Sequence, residues 1–487
     1  MIKLPHITRR NGVKIALIII VIVGIAYTVL TKTQSRVFNF WRETVEEMVA
    51  KGDASLETRH YQDALAFYSD ALKNDTGNAA IYLKIAEVYR QKNSFQSAFD
   101  IVSQGLKNAK NKADLYRLAG DLQIRLNNPE KAREYLLLAD TTNPEIHFLL
   151  GQTYFLQSNF SKAQPEFATY TQKTADPEGI YYLGLAWVLV DPAVALPHFE
   201  EAAAKSWSGA SSADSLQAIV SSALKSADGN YRTTVICHGI LSVGFPLIVI
   251  DPLRNVVNQN PTYRDGLLTL GAAYFALGNY NEALAYFNGA FSLDPTFAET
   301  SYLLGRYYLS QSNRSAAEEY LMRATVLNPL SALYHRQLAQ FYEESAPEKA
   351  PAEWRAAIET ENDIVRALQD RLSLTYLYVD YLSDIAEAQK LSAIIERNYL
   401  SDNALTAILE SQIRDVLAWV KHKSGDSAAA LEEYKQLTEA YSYNPLSWYH
   451  RGRVEESLNN RSEAKSSFTR ALDLDTEGAI QPLIDGN

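Results

Sequence analysis

The 487-residue chain is poor in the side chains that build catalytic and metal sites. It has one cysteine, Cys237, three methionines and eight histidines. A single cysteine excludes internal disulfides and cysteine-based zinc sites. The histidines are scattered, and none has a second ligand at a helical metal-binding spacing. No Gly-rich phosphate loop, HExxH, CxxC or nucleophile-elbow pattern occurs. No catalytic, cofactor-binding or metal residue is therefore assigned, and the chain reads as a non-enzyme without a cofactor. Basic residues are also in deficit, with 46 Lys and Arg against 57 Asp and Glu. Four of the basic residues (Lys3, Arg9, Arg10, Lys14) lie in residues 1–14, which hold no acid, and this leaves 42 against 57 and a net charge of −15 in the rest. A body that acidic repels phosphate backbones, which argues against nucleic acid as a partner.

What is abundant is apolar and helical. Hydrophobic residues make up 47% and charged residues 21%, a folded rather than a disordered composition. At this length one compact core does not suffice, so several domains or a repeat array are expected. Residues 15–31 are uncharged and include eleven Ile, Val or Leu. At about 0.3–0.6 kcal/mol each they favour membrane insertion by roughly 5 kcal/mol, so this stretch is read as a transmembrane anchor. The apolar run continues past Gly24-Ile25-Ala26, a small-residue cleavage pattern, which favours an anchor over a signal peptide. The positive-inside rule then places the N-terminus in the cytoplasm and residues 32–487 on the extracytoplasmic side of a single-pass membrane protein.

The rest is explained by self-similarity. "LGAAYFALGNYNEALAYFNGAFSLDP" at 270–295 recurs as "LGRYYLSQSNRSAAEEYLMRATVLNP" at 304–329. Gly271, Tyr274, Ala283, Phe287, Ala290 and Pro295 of the first copy match Gly305, Tyr308, Ala317, Leu321, Ala324 and Pro329 of the second, 34 residues on. Small residues at 271 and 283 let two antiparallel helices approach closely, and Gly278 suits a left-handed helix end. Weaker copies carry Gly52, Ala64 and Tyr68; Ala86 and Ala98; Gly120 and Ala132; Gly151, Ala163 and Phe167; Gly184 and Phe199; Ala339 and Trp354; and Gly452, Ala464 and Phe468.

This pattern resembles the tetratricopeptide repeat (TPR). The resemblance implies an all-α, right-handed superhelical solenoid of about nine clear repeats and up to twelve helix pairs, here preceded by one transmembrane helix. The expected division is a basic tail (1–14), the anchor (15–31), an N-terminal sub-array (38–205), an irregular helical joint (206–262), a central sub-array (263–360), a degenerate to C-terminal sub-array (361–475) and a flexible tail (476–487). In such arrays the first helix of each unit lines a concave surface. Its slots here hold Phe148, Leu149, Phe155, Tyr181, Tyr182, Leu185, Leu268, Phe275, Tyr302 and Leu309, an aromatic middle suited to an extended or helical peptide. Toward the ends the slots become charged: Lys84, Glu87, Arg90, Arg117 and Asp121 on one side, Arg336, Glu343, His450 and Arg453 on the other.

The functional expectation is a membrane-anchored scaffold that binds protein or peptide partners in this groove and organises an envelope or secretion-related assembly. Two alternatives stand beside it. The first is a cytosol-facing anchored receptor for precursor proteins or chaperones. The Lys/Asn/Arg clamp of chaperone-binding relatives is absent, since Val49, Ala50 and Asp53, then Leu83, Lys84 and Glu87, occupy its slots. The second is an enzyme with a cryptic site at Cys237-His238. Neighbours on a helix point about 100° apart, which opposes a nucleophile–base pair. The apolar stretch around them, "TTVICHGILSVGFPLIVIDP" (233–252), is too short and too interrupted to span a membrane. It fits two repeat registers at once, which predicts a phase slip near 205–260.

Overall fold

A computed structural model describes residues 43–400 and 406–485. It contains 26 α-helices, arranged for most of their length as antiparallel pairs. The first five pairs are α1 (Val45–Glu57) with α2 (Tyr61–Asn74), α3 (Ala79–Gln91) with α4 (Phe95–Asn108), α5 (Ala113–Arg125) with α6 (Pro129–Leu136), α7 (Pro144–Leu156) with α8 (Phe160–Thr174), and α9 (Pro177–Val188) with α10 (Pro192–Ala203). Three helices follow: α11 (Ala210–Ala223), α12 (Gly229–Ser242) and α13 (Ile250–Gln259), the last entered through a 3-10 turn at Leu247–Val249. Pairing resumes with α14 (Arg264–Ala276) and α15 (Tyr280–Leu293), α16 (Ala298–Ser310) and α17 (Arg314–Leu327), and α18 (Ala332–Ser345) and α19 (Ala350–Thr360). It continues with α20 (Ile364–Tyr376) and α21 (Ile385–Tyr399), α22 (Ala407–Lys423) and α23 (Ser427–Ala440), and α24 (Pro445–Ser457) and α25 (Arg461–Leu474), and ends on the short α26 (Ile480–Asp485).

Local chemistry sets these elements. Asn143, Asp176, Asp191 and Asn444 cap α7, α9, α10 and α24, each with proline at the first helical position. The turn inside a pair is left-handed at a fixed slot. Gly278 (φ 77°) and Ser312 (φ 58°) are 34 residues apart, as are Asn93 (φ 53°) and Asn127 (φ 57°). The repeat therefore imposes this conformation even where no glycine relieves it.

Packing follows a second fixed spacing. A Cβ on Gly271 would stand 2.7 Å from the Phe287 ring, and one on Gly151 2.6 Å from the Phe167 ring. Each glycine thus lies under a fully buried aromatic sixteen residues on, in the second helix of its own pair. Burying each ring contributes about 1.5–3 kcal/mol, a gain that a methyl group at the glycine would spoil by overpacking.

Helices α11 to α13 interrupt the alternation of pairs. Helix α12 packs both on α11 before it and on α14 beyond it. Cys237 is fully buried there, its thiol pushed up to about 12 by burial, while the neighbouring His238 is exposed. The two do not form a nucleophile–base pair.

The two ends of the array meet. Arg470 of α25 donates to the carbonyls of Thr58 (2.6 Å) and Arg59 (2.7 Å), at the C-terminus of α1. Helix α2 has no capping side chain of its own at His60. Asp473 takes that role from 412 residues away, accepting the Tyr61 N–H at 2.9 Å. The Arg59 guanidinium lies 5.7 Å from the Tyr443 ring. A cavity of about 1010 Å³, bordered by Tyr61, Tyr443 and Leu446, remains at this seam. Polar contacts hold the seam, and no packed apolar core fills it. Within 476–487, expected as a flexible tail, α26 buries Ile480 beside Tyr449.

Two expectations are corrected. The fold class placed a transmembrane helix before the array, but among the described residues no helix is long and apolar enough to cross a membrane. The fold is an all-α solenoid of 26 described helices, and the assigned anchor at 15–31 lies outside the described residues. The localisation built on that anchor, a single-pass membrane protein with an extracytoplasmic array, falls with it.

Candidate functional site

The ten expected groove residues all lie on the first helices of their pairs: Phe148, Leu149 and Phe155 on α7, Tyr181, Tyr182 and Leu185 on α9, Leu268 and Phe275 on α14, and Tyr302 and Leu309 on α16. Their exposure separates them. Leu149, Phe155, Tyr181, Leu185, Leu268 and Tyr302 are buried by neighbouring helices, whereas Phe148, Tyr182, Phe275 and Leu309 are half-buried. Curvature of the array thus turns six of the ten into core.

The rings gather into two groups. In the first, Tyr182 is central, with ring centroids 5.3 Å from Phe148, 5.5 Å from Phe167 and 5.8 Å from Tyr181. Burial raises the Tyr182 phenol above its ordinary range, and Glu178 adds to this. Tyr181 reaches Trp207 at 5.6 Å. In the second group Tyr302 stacks obliquely on Tyr334 at 4.9 Å, and Phe275 meets Tyr280 at 5.8 Å. The Arg306 guanidinium lies over both Phe275 (5.6 Å) and Tyr302 (5.7 Å), a cation–π clamp across two pairs. Arg306 is exposed and follows Gly305 on the first helix α16.

The charged slots toward the ends serve the array itself. Lys84 pairs with Asp53 (2.6 Å) and Arg90 with Asp121 (3.1 Å), each 31 residues away. Arg336 holds Asp370 through two bonds of 2.6 and 2.7 Å and adds Glu361 at 2.8 Å. Asp370 is only 2% exposed, and its pairing raises the Arg336 guanidinium further above its ordinary range. His450 is buried against Asp415. These charges couple consecutive pairs.

Burial raises the Glu299 carboxyl on α16, Asp265 adds to the rise, and His238 and Arg264 oppose it. Burial first, and Glu299 after it, push the Tyr334 phenol up to about 12. A carboxyl raised on folding supplies stability below its unfolded pKa and withdraws it as pH rises through the folded value. Glu299→Gln is therefore expected to raise the Tm at pH 7 and to leave it unchanged near pH 3, well below the ordinary value of about 4.3. Thermal scans at the two pH values check this.

Among the described residues no group of three or more His, Cys, Asp and Glu side chains could hold a metal ion. The fixed spacings of glycine, ring and left-handed turn match known sequence families. A tetratricopeptide repeat model matches residues 55–122 and 274–341, and a second tetratricopeptide repeat model matches 416–479. The chain carries tetratricopeptide repeats. No curated protein matches it. Among solved structures, the TPR chain is similar to one from the APC/C hetero-tetramer Cut9–Hcn1, at 16% identity over 93% of this chain and 92% of that one, with a TM-score of 0.34. It is also similar to yeast Tom70, at 13% identity over 91% and 99% with a TM-score of 0.33. A tetratricopeptide repeat protein from Parabacteroides merdae gives 14% identity over 56% and 98%, with a TM-score of 0.38. TPR proteins commonly bind proteins or peptides.

Proposed function

We propose that this TPR array is a scaffold whose concave face, from α7 to α16, holds a protein or peptide partner. The observation that carries the reading is the set of apolar side chains left half-buried on first helices, Phe148, Tyr182, Phe275 and Leu309, with Arg306 exposed beside Phe275. Half-buried rings on a rigid frame supply large contact area at low entropic cost, which is how binding anchors work. The partner's apolar side chains fill the spaces beside Tyr182 and Phe275, and Arg306 offers a cation to its backbone or a carboxylate.

Photo-crosslinking in the native host tests the proposal. A benzophenone amino acid at Tyr182 or Phe275 is expected to form a discrete protein adduct, and one at the exposed Met322 on the second helix α17 is not. An adduct at Met322 alone, or none at Tyr182 and Phe275, contradicts the concave-face reading.

A further inference from the structure

The stretch 243–249 does more than join two helices. Helix α12 ends in a Schellman motif: Phe245 N–H donates to Ile240 O (3.2 Å) and Gly244 N–H to Leu241 O (3.1 Å), with Gly244 at φ 93°. Only glycine adopts that conformation freely, so the chain reverses at a defined point and presents Phe245. The Phe245 ring lies against the first helices of two earlier pairs. Its centroid stands 5.2 Å from Phe155 of α7 at an interplanar angle of 89°, and 5.9 Å from Tyr182 of α9 at 75°. The 3-10 turn that follows also touches α7, about ninety residues earlier in the chain. Phe155 is fully buried, but Phe245 itself is half-buried and Leu247 is 47% exposed. The contact is an edge-to-face seat on one side and open on the other.

We propose that Gly244–Leu247 is an intramolecular occupant of the Phe155–Tyr182 slot, and that the partner binds by displacing it with an aromatic side chain that precedes a proline. This rests on the concave-face reading above and names the partner's anchor. The seat accepts a ring edge-on, the geometry aromatic pairs prefer, so an aromatic is the side chain it fits. The occupant is tethered to helices that also pack elsewhere, and its exposed edge lets an incoming ring compete for the same two faces. The body's net charge of −15, with Glu178 beside Tyr182, favours basic residues flanking the partner's aromatic.

A fluorescein-labelled hexapeptide with the sequence of residues 242–247 (Ser-Val-Gly-Phe-Pro-Leu), carrying two added lysines, is the probe. Binding to the full chain is followed by anisotropy. The Phe245→Ala variant is expected to bind it at least about tenfold more tightly than the unaltered chain, because the slot is no longer partly filled. A peptide with alanine in place of phenylalanine should not bind, and Tyr182→Ala in the Phe245→Ala background should abolish binding. Hydrogen exchange on the unaltered chain gives a second arm that needs no variant: saturating peptide should speed exchange of the Gly244 and Phe245 amides. Equal affinity for the two chains, no binding to a folded Phe245→Ala chain, or unchanged exchange under saturating peptide overturns the proposal. If the peptide fails while crosslinks at Tyr182 and Phe275 persist, the displacement idea falls and the scaffold reading stands. If those crosslinks are absent, the scaffold reading falls whatever the peptide does.

Discussion

His450→Ala is expected to lower stability by about 3–5 kcal/mol, the cost of leaving a buried charge without its partner. Asp415 on α22 is 1% exposed, and its Oδ1 has no hydrogen-bond partner. Its Oδ2 accepts from the Tyr376 hydroxyl at 2.6 Å and from His450 Nδ1 at 2.8 Å. The imidazole is stacked on Trp419 at 4.1 Å, and Tyr434 donates to the Asp415 carbonyl at 2.9 Å. The cluster thereby ties α20, α22, α23 and α24 together. Removing the imidazole leaves Asp415 with one hydroxyl and opens a cavity beside Trp419. A triple variant, His450→Leu with Asp415→Leu and Tyr376→Phe, should recover most of the loss because it removes all three polar groups together. Chemical denaturation of the unaltered, single-variant and triple-variant chains checks this, and comparable losses in the single and triple variants would refute it.

Opening the seam is the second large effect. Arg470→Ala with Asp473→Ala removes two charge-assisted bonds to carbonyls and the cap on α2. Bonds to charged groups contribute about 1.5–3 kcal/mol each, and a cap about 1 kcal/mol. Desolvation already disfavours the charged form of Arg470, so part of this gain is offset. What remains holds two ends of a solenoid whose repeats otherwise contact mainly their neighbours. The double variant should therefore keep its helical content but show a larger maximum dimension in small-angle X-ray scattering. Unchanged dimensions with unchanged helicity would show that the seam does not hold the ends together.

Much of this architecture was legible in the sequence because it is local or periodic. Gly271 under Phe287 and the left-handed turns at Gly278 and Ser312 recur at fixed spacings, so one repeat teaches the next. The concave slots were legible as positions but not as surfaces. Phe155 and Leu185 occupy them and are fully buried, because burial depends on how far each pair is rotated against the next. The charged slots misled for the same reason: Arg336 and His450 face carboxylates 34 and 35 residues away, inside the array. The seat of Phe245 and the Arg470–Asp473 seam join positions about ninety and more than four hundred residues apart. They arise from small rotations summed over many pairs, which no local pattern encodes. Arg306 was legible too, since it lies four residues after Tyr302 on the same first helix and faces Phe275 on the first helix before it.

The measurement closest to the central claim is the affinity of the partner recovered by crosslinking for three variants of the purified chain. Tyr182→Ala and Phe275→Ala should each weaken binding by about thirtyfold, the level of a true anchor, while Met322→Ala on a second helix changes it little. Full affinity in both concave variants, with loss in Met322→Ala, would place the partner on the outer face and contradict the account.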